Sequence, residues 1–203
     1  GLARWVIPCL TGNMVFSLIR LSHADDPRLA RGVDWIVKYQ RFDDGEGILP
    51  DVPLFNYHKN CFGSHSCHLG VVKALKSLSA LPEKTKPVKQ KIDEAVDYLL
   101  AHHIYRKSHD LSSVSKPGWL RPGFPLMYQT DVLEIALLLS RLGVRDSRMD
   151  DAVEKIVRRA DGEGRWRLAS TFNGRFQTNI ERKGEPSKWI TLMAIETLRN
   201  LSV

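Results

Sequence analysis

The sequence has 203 residues, of which 43% are hydrophobic and 26% charged, a composition that suits a globular protein of one or two domains. The net charge of +7 favours solubility and attracts anionic partners, while no apolar run approaches the roughly 18 residues of a membrane span. Three cysteines, an odd number, favour free thiols or metal ligands in a reducing, cytoplasmic compartment over a disulfide framework.

Apolar and amphipathic helices alternate along the chain. An apolar helix is predicted over residues 11–21 and an amphipathic one over 28–40. The same pair recurs at 64–81 and 88–106 and again at 129–142 and 149–160, and a final apolar helix is predicted over 187–201. No stretch alternates well enough to predict a sheet, although short hairpins inside the long loops stay open. The sequence therefore predicts about seven helices in three hairpins and a half.

The three amphipathic helices share one register. Apolar positions recur in steps of four, three, one and three, which places them on one helix face. The three stripes are Leu29, Val33, Ile36, Val37 and Gln40; Ile92, Val96, Leu99, Leu100 and His103; and Met149, Val153, Ile156, Val157 and Ala160. A small residue, Gly32, Ala95 or Ala152, precedes the second stripe position and allows close approach of a neighbour. The amphipathic helices are therefore predicted to lie outside, around inner helices that are apolar on most sides.

Loop lengths predict where a functional site lies. The loops from an outer helix back to the next inner helix, 41–63, 107–127 and 161–187, are all roughly twenty residues or more, a length typical of functional loops. In an up-and-down arrangement these loops meet the N-termini of the inner helices, where unpaired N–H groups favour anions. We expect the site at that end.

The repeat resembles a known family. Arg31-Gly32, Trp35-Ile36, Gln40 and Gly45 resemble the glutamine–tryptophan repeat of squalene and oxidosqualene cyclases. Gly164-Arg165-Trp166 has the Gly-x-Trp ending of that repeat, without its Gln. The resemblance implies an all-α fold, the α/α toroid that these cyclases share with the β subunits of protein prenyltransferases, as a single domain over residues 1–203. It also implies an apolar, isoprenoid-type ligand and, for an enzyme, a transferase of the prenyltransferase type.

The chain has fewer hairpins than that family's closed ring, so a partial toroid is expected. Either an N-terminal half is absent or a second chain completes the ring. An open ring would expose one side of the first inner helix, and an exposed apolar face implies a partner. The Asp-x-Asp-Asp run that serves the triterpene cyclases as proton donor is missing, which argues against cyclase chemistry.

A cluster of thiols and imidazoles begins the second inner helix. It comprises Cys61, His65, Cys67 and His68, and Cys9 holds the matching place at the first inner helix. Zinc takes four such ligands in structural sites and three in catalytic ones. The alternative is that these are buried packing residues, since free Cys is commonly part of a core. His65-Ser66-Cys67 resembles the His-Thr-Cys of farnesyltransferase β subunits, which implies that His65 is a zinc ligand.

Further candidates for ligand binding start the third and fourth inner helices. Tyr128 and Asp131 lie at the start of the third, Lys188 at the start of the fourth, and Arg175 belongs to the Arg-rich third loop. The cations suit a diphosphate or another anion, and Trp119, Phe124, Tyr128, Phe172 and Phe176 would line an apolar pocket. The structural alternatives are a helix-capping Asp131, a solvated basic rim, and aromatic residues that only anchor loops.

Two classes of function follow. The first is a toroid protein that binds an apolar, isoprenoid-type molecule with zinc as its metal. The second is a non-catalytic module that binds a protein on the same scaffold. A weaker third option is binding of anionic lipid or nucleic acid through the Arg-rich loop, although no basic–aromatic nucleic-acid module is present and no nucleic-acid partner is expected.

Overall fold

The computed structural model describes residues 6–45 and 51–202. This part of the chain is helix-rich, with nine α-helices and one two-stranded antiparallel sheet. The helices are α1 (Pro8–Arg20), α2 (Pro27–Tyr39), α3 (Pro53–Tyr57), α4 (Lys59–Phe62), α5 (His68–Ser79), α6 (Lys86–Ala101), α7 (Val132–Arg141), α8 (Asp150–Val157) and α9 (Lys188–Leu201). Short 3-10 helices cover Pro117–Leu120 and Ser147–Met149. All seven predicted helices are therefore present, and α3 and α4 are additional.

The chain divides into two compact units, Gly1–Tyr98 and Leu99–Val203. Each unit is built around a buried helix that the sequence predicts as an inner one, α5 in the first and α7 in the second. The closed or partial ring, and its description as a single domain, stay predictions. In the part of the chain described, none of the helices has the length and apolar content needed to cross a membrane.

In the first unit, α1 packs against α5 and α2. The approach to α5 is very close, because an ideal Cβ at Gly12 would lie 2.5 Å from the carbonyl carbon of Lys73. At Gly32 of α2, a Cβ would lie 2.9 Å from the Cγ2 atom of Val15. The predicted use of a small residue for close helix approach is thus confirmed at Gly32, and Gly12 adds a tighter example.

The first long loop carries a small apolar core of its own. Leu54, Phe55 and Phe62 from α3 and α4 are buried together, and the rings of Phe55 and Phe62 stack at 4.6 Å. Trp35 and Tyr39 of α2 pack against them. This packing attaches the loop to the outer side of the unit and brings the end of α4 next to the start of α5.

In the second unit, α7 is buried at every position from Val132 to Ser140, which confirms the prediction of an inner helix surrounded by protein. It packs against α8 and α9. Arg141 pairs with Glu196 at 2.6 Å, and the Asn200 side chain donates to the Ser140 hydroxyl at 3.3 Å, so polar contacts align the ends of α7 and α9.

The outer helix of this unit is shorter than predicted. It ends at Val157, and the amides of Arg159 and Ala160 bond to Ile156 and Val157 in a tighter, i to i−3 turn. Val157 is consequently exposed, unlike the rest of its stripe. Trp166 then folds back, and its indole N–H donates to the Ile156 carbonyl at 2.7 Å, which caps the end of α8.

A short hairpin follows α6, as the sequence analysis left open. Strand β1 (Arg106–Lys107) pairs with β2 (Asp110–Val114). The Arg106 guanidinium donates to Asp151 on α8 at 2.6 Å, and Tyr105 donates to the same carboxylate, so the hairpin is fixed to the outer helix.

Two helices expose apolar faces. On α1 the exposed residues are Leu10 and Met14, followed by Leu21 just after its end, and on α9 they are Trp189, Leu192 and Ile195. When the repeats are aligned, residues 189, 192 and 195 of α9 correspond to residues 9, 12 and 15 of α1. This is the side of α1 that contains Gly12 and packs on α5. The exposed face of α9 thus has the register of an inner-helix contact surface.

Candidate functional site

The predicted zinc ligands all lie in the first unit, near the start of α5. Cys67 is the residue that precedes α5, Cys61 lies in α4, and Cys9 is a buried residue of α1. The Cys61 and Cys67 thiols share a hydrogen bond, and the Cys67 amide donates to the Cys61 carbonyl at 3.4 Å. The fold therefore brings two of the three cysteines into direct contact, with the third nearby.

The thiols are held in their protonated form. The hydrogen bond with Cys67, together with burial, raises the pKa of Cys61 far above its usual range. Burial and then the neighbouring Cys67 raise the pKa of the Cys9 thiol. Reactive cysteines need a lowered pKa, so Cys9 and Cys61 are not poised as nucleophiles.

The two imidazoles point to different surroundings. His65 is exposed, and its Nδ1 atom lies 2.9 Å from the Asp44 carbonyl oxygen and 3.2 Å from the Asp44 carboxylate. His68 is buried, with its ring 5.6 Å from that of Tyr98. Within residues 6–45 and 51–202, no group of three Cys, His, Asp or Glu side chains is arranged to hold a metal ion. As placed, the described side chains bring two thiols together without completing a set of zinc ligands, and the burial of Cys9 and His68 agrees with the packing alternative.

The turn after α2 explains the position of His65. Gly45 has φ +96°, a conformation that other residues rarely adopt, and an ideal Cβ there would lie 3.0 Å from both the His65 ring and the Ser64 carbonyl. The glycine of the first repeat therefore allows the loop carrying His65 to fold against the Asp43-Asp44 turn. This contact sets the His65 ring against Asp44.

The second unit contains a cavity of about 580 Å³ near the start of α7. This volume is within the range of small-molecule sites, roughly 300–1,000 Å³. Three cations, Lys116, Arg121 and Arg175, contribute to its lining, and no acidic side chain among the residues that the structure describes does so. The aromatic part of the lining consists of Trp119, Tyr128 and Phe172. The arrangement suits a ligand that combines an apolar portion with negative charge.

Three chain segments form the walls of this cavity. They are the 3-10 helix Pro117–Leu120, the loop from residue 121 to 130, and residues 170–175 of the third loop. The backbones of Gly123 and Ser170 are paired, and the Phe124 amide donates to the Ser170 carbonyl at 3.2 Å. The second and third long loops are therefore joined by backbone hydrogen bonds, which set the spacing of the side chains they carry.

Asp131 holds this junction in place. It is the N-cap of α7, where one carboxylate oxygen accepts from the Glu134 amide and the other from the Gly123 amide, each at 2.8 Å. Its side chain is buried and does not line the cavity. The capping alternative for Asp131 describes what the structure shows, with the added function of fixing the loop at Gly123.

Buried polar groups and aromatic rings define the chemistry of the lining. Thr130 is only 4% exposed, and its hydroxyl has no hydrogen-bond partner in the structure. This oxygen has almost no accessible surface, so Thr130 lines the cavity through its other atoms. The Arg175 guanidinium lies 5.9 Å from the centre of Phe172, and the Lys116 ammonium 5.5 Å from that of Trp119, so two cations rest on aromatic faces.

Of the predicted ligand-binding residues, Tyr128 and Arg175 line the cavity. Lys188 does not; its backbone amide bonds to Glu181, and its ammonium lies over the Trp189 ring. Among the predicted aromatic residues, Phe124 stacks on Trp189 instead of lining the cavity.

Sequence reasoning missed Lys116 and Arg121. They flank the Pro-Gly-Trp segment of the second loop, far along the chain from Arg175, and the sequence analysis considered cations of the third loop alone. A search for basic residues around aromatic ones in every long loop would have identified them.

Comparisons with known protein families, with curated proteins and with solved structures found no match to this chain.

Proposed function

We propose that this chain forms part of an α/α toroid of the cyclase and prenyltransferase type and binds an apolar, isoprenoid-type ligand that carries an anionic end. Three features support the fold. The seven helices occur where the repeat predicts them, α7 is buried on all sides, and the amphipathic helices turn one face to solvent. The exposed faces of α1 and α9 are those that an incomplete ring would leave uncovered.

The cavity in the second unit is the observation that carries the proposed ligand class. The aromatic residues of its lining can contact an apolar chain of the ligand, and the cations Lys116, Arg121 and Arg175 can bind its anionic group. The lining includes none of the acidic side chains in the described part of the chain, which supports an anion over a cation as the polar part of the ligand.

Isothermal titration with three probes tests this proposal. We expect farnesyl diphosphate to bind at least about tenfold more tightly than either farnesol or inorganic diphosphate, because it alone uses both parts of the lining. Equal affinity for farnesol and farnesyl diphosphate would exclude the anionic contact. Failure of all three probes to bind would reject the proposed function.

Two arginine variants in the same loop provide a matched comparison. Arg175 lines the cavity, whereas the exposed Arg182 does not. We expect Arg175→Gln to weaken farnesyl diphosphate binding about tenfold or more, the usual scale for a lost charge-assisted contact, and Arg182→Gln to change it less than about twofold. Equal losses in both variants would show that the effect depends on overall charge and not on the cavity.

Zinc remains part of the proposal only as a metal to be tested. Cys61 and Cys67 are the pair that would hold it, because their thiols already touch, and bound zinc would supply thiolate or Lewis-acid chemistry. Elemental analysis of protein purified without added metal should find about one zinc per chain, lost in Cys67→Ala. If no zinc is found after purification or after titration with zinc, the proposal of a bound metal is rejected together with the transferase reaction, and ligand binding alone remains as the proposed function.

A second candidate function is a non-catalytic module that binds a second chain. The exposed residues of α1 and α9 favour it, since contiguous apolar surface often marks a protein contact. Light scattering after size exclusion should show an assembly larger than one chain, and Met14→Ser should weaken it. A monomer at all concentrations, with unchanged behaviour in Met14→Ser, would reject a self-association of this kind.

A further inference from the structure

Apolar side chains are exposed beside the cavity, on two loops of the second unit. Met127 is 46% exposed and Tyr128 39%, while Ile180 is 48% and Phe176 37%. The rings form a continuous series, because the centroids of Tyr128 and Phe172, and of Phe172 and Phe176, are each 6.4 Å apart. We call Met127, Tyr128, Phe176 and Ile180 the loop patch.

The two loops are ordered by their own hydrogen bonds, so the patch is not a set of loose side chains. Residues 126–129 form a turn, with the Gln129 amide donating to the Leu126 carbonyl at 2.8 Å. Met127 is held in this turn at φ +51°, an uncommon conformation for a large side chain. In the third loop, Asn173 donates to the Glu181 carbonyl at 2.8 Å, which closes the segment that carries Phe176 and Ile180.

The patch is surrounded by positive charge. Residues 116–129 and 170–188 together contain six Lys and Arg side chains and two Glu, a net charge of +4. One of the two acids, Glu181, is engaged locally, since its carboxylate accepts from the Ser187 hydroxyl at 2.5 Å and from the Lys188 amide at 3.0 Å. Exposed apolar tips within a basic surround are the pattern of proteins that rest on anionic membrane surfaces.

We propose that the loop patch docks this protein on an anionic lipid surface. The cations contact lipid head groups, and the four apolar side chains enter the boundary between head groups and acyl chains. The aliphatic side chains of Met127 and Ile180 favour lipid over nucleic acid, because single-stranded nucleic acids bind through cations and stacking rings, to which exposed aliphatic groups add nothing. Docking would place the neighbouring cavity at the membrane interface, where apolar ligands are concentrated.

The test is co-sedimentation of the whole chain with ligand-free vesicles of phosphatidylcholine, with and without about 30% phosphatidylserine. We expect binding to the anionic vesicles to be at least about tenfold stronger and to fall steeply between low and high salt. No isoprenoid is present, so the outcome is separate from that of the proposed ligand binding. Equal binding to both vesicle types, or to neither, would overturn the proposal.

Matched variants assign the effect to the patch. Met127→Ser and Ile180→Ser should each lower the partition coefficient on anionic vesicles about fivefold or more, because an apolar side chain no longer enters the interface. Leu192→Ser, at a residue 56% exposed on α9 and outside the patch, should leave it unchanged. Equal losses in all three variants would refute a role for the patch.

Charge variants and a nucleic-acid competitor complete the test. The double change Arg182→Glu and Lys183→Glu should abolish most of the preference for anionic vesicles, whereas Arg158→Glu, at the residue that follows α8, should retain it. Circular dichroism and thermal melting of every variant check that folding is preserved. If a single-stranded oligonucleotide binds more tightly than the vesicles, with the same loss in Met127→Ser, the surface is a nucleic-acid site and the proposal is wrong.

Discussion

Replacing Gly12 with Ala tests the close contact between α1 and α5. The added Cβ would lie 2.5 Å from both the carbonyl carbon and the carbonyl oxygen of Lys73, and 2.9 Å from the Ala74 nitrogen. Carbon atoms pack best at about 3.5–4.0 Å, so α1 would have to move away from α5 by roughly 1 Å. The atoms in the way belong to the backbone, and no side-chain rotation can relieve them.

Two opposite energies decide the sign of the effect. An alanine in the middle of a helix is more favourable than glycine by about 1 kcal/mol. Overpacking of a close contact costs about 1–3 kcal/mol. Since the clash is with main-chain atoms of a buried helix, we expect the second term to prevail and Gly12→Ala to lower the free energy of unfolding by about 1–2 kcal/mol.

Gly32→Ala is the matched control, a glycine within α2 of the same unit. Its Cβ would meet the end of one side chain, the Cγ2 atom of Val15 at 2.9 Å, which can adjust more easily than backbone. We expect a change within about 0.5 kcal/mol, because the gain in helix propensity offsets the contact.

Urea unfolding followed by circular dichroism measures both variants against the parent chain. A lower midpoint with an unchanged m-value would report a loss of stability without a change in the surface exposed. If Gly12→Ala raises stability by about 1 kcal/mol, as at an exposed helix site, α1 and α5 do not approach as described.

Three further predictions concern the second unit. Leu139→Ala should cost about 2–5 kcal/mol, because this side chain is fully buried, and Leu192→Ala, at an exposed leucine, should cost less than about 1; equal costs in urea unfolding would contradict the inner-helix assignment. Asp131→Ala should lower the free energy of unfolding by about 1–2 kcal/mol and weaken farnesyl diphosphate binding by loosening Gly123. Asp131→Asn retains a cap and should keep most of the stability and most of the affinity; unchanged affinity of the Ala variant in titration would contradict this. Burial, and then the Asp151 hydrogen bond, raise the pKa of Tyr105 to about 12. Folding therefore favours the protonated phenol, a stabilisation present below the ordinary pKa of about 10 and lost as pH rises towards 12. Between pH 9 and pH 11 the free energy of unfolding of the parent chain, measured by urea unfolding, should thus fall by about 1 kcal/mol more than that of Tyr105→Phe. Identical pH profiles of the two proteins would disprove the raised pKa.

The helices of this protein could be predicted from the sequence because helix periodicity is a local property. Stripes with steps of three and four identify the buried face of a helix wherever its neighbour lies, so α2 and α7 occur within a few residues of the prediction, whereas α6 ends at Ala101 and not at residue 106. Register also predicted the contact at Gly32, since it depends on one residue in one helix. The exception, Val157, lies where the helix changes to a tighter turn.

The candidate sites were decided by tertiary structure. Arg121 and Arg175 line one cavity because Gly123 pairs with Ser170, and that pairing depends on the Asp131 carboxylate reaching the Gly123 amide. Such contacts follow no period, so the sequence analysis found Arg175 and missed Arg121. For the same reason the sequence did not predict that the His65 ring contacts Asp44, a contact that the turn at Gly45 allows. Local sequence thus determined the helices and their buried faces, whereas the loop hydrogen bonds of the folded chain decided which side chains meet, because loop conformation depends on contacts between residues distant in sequence.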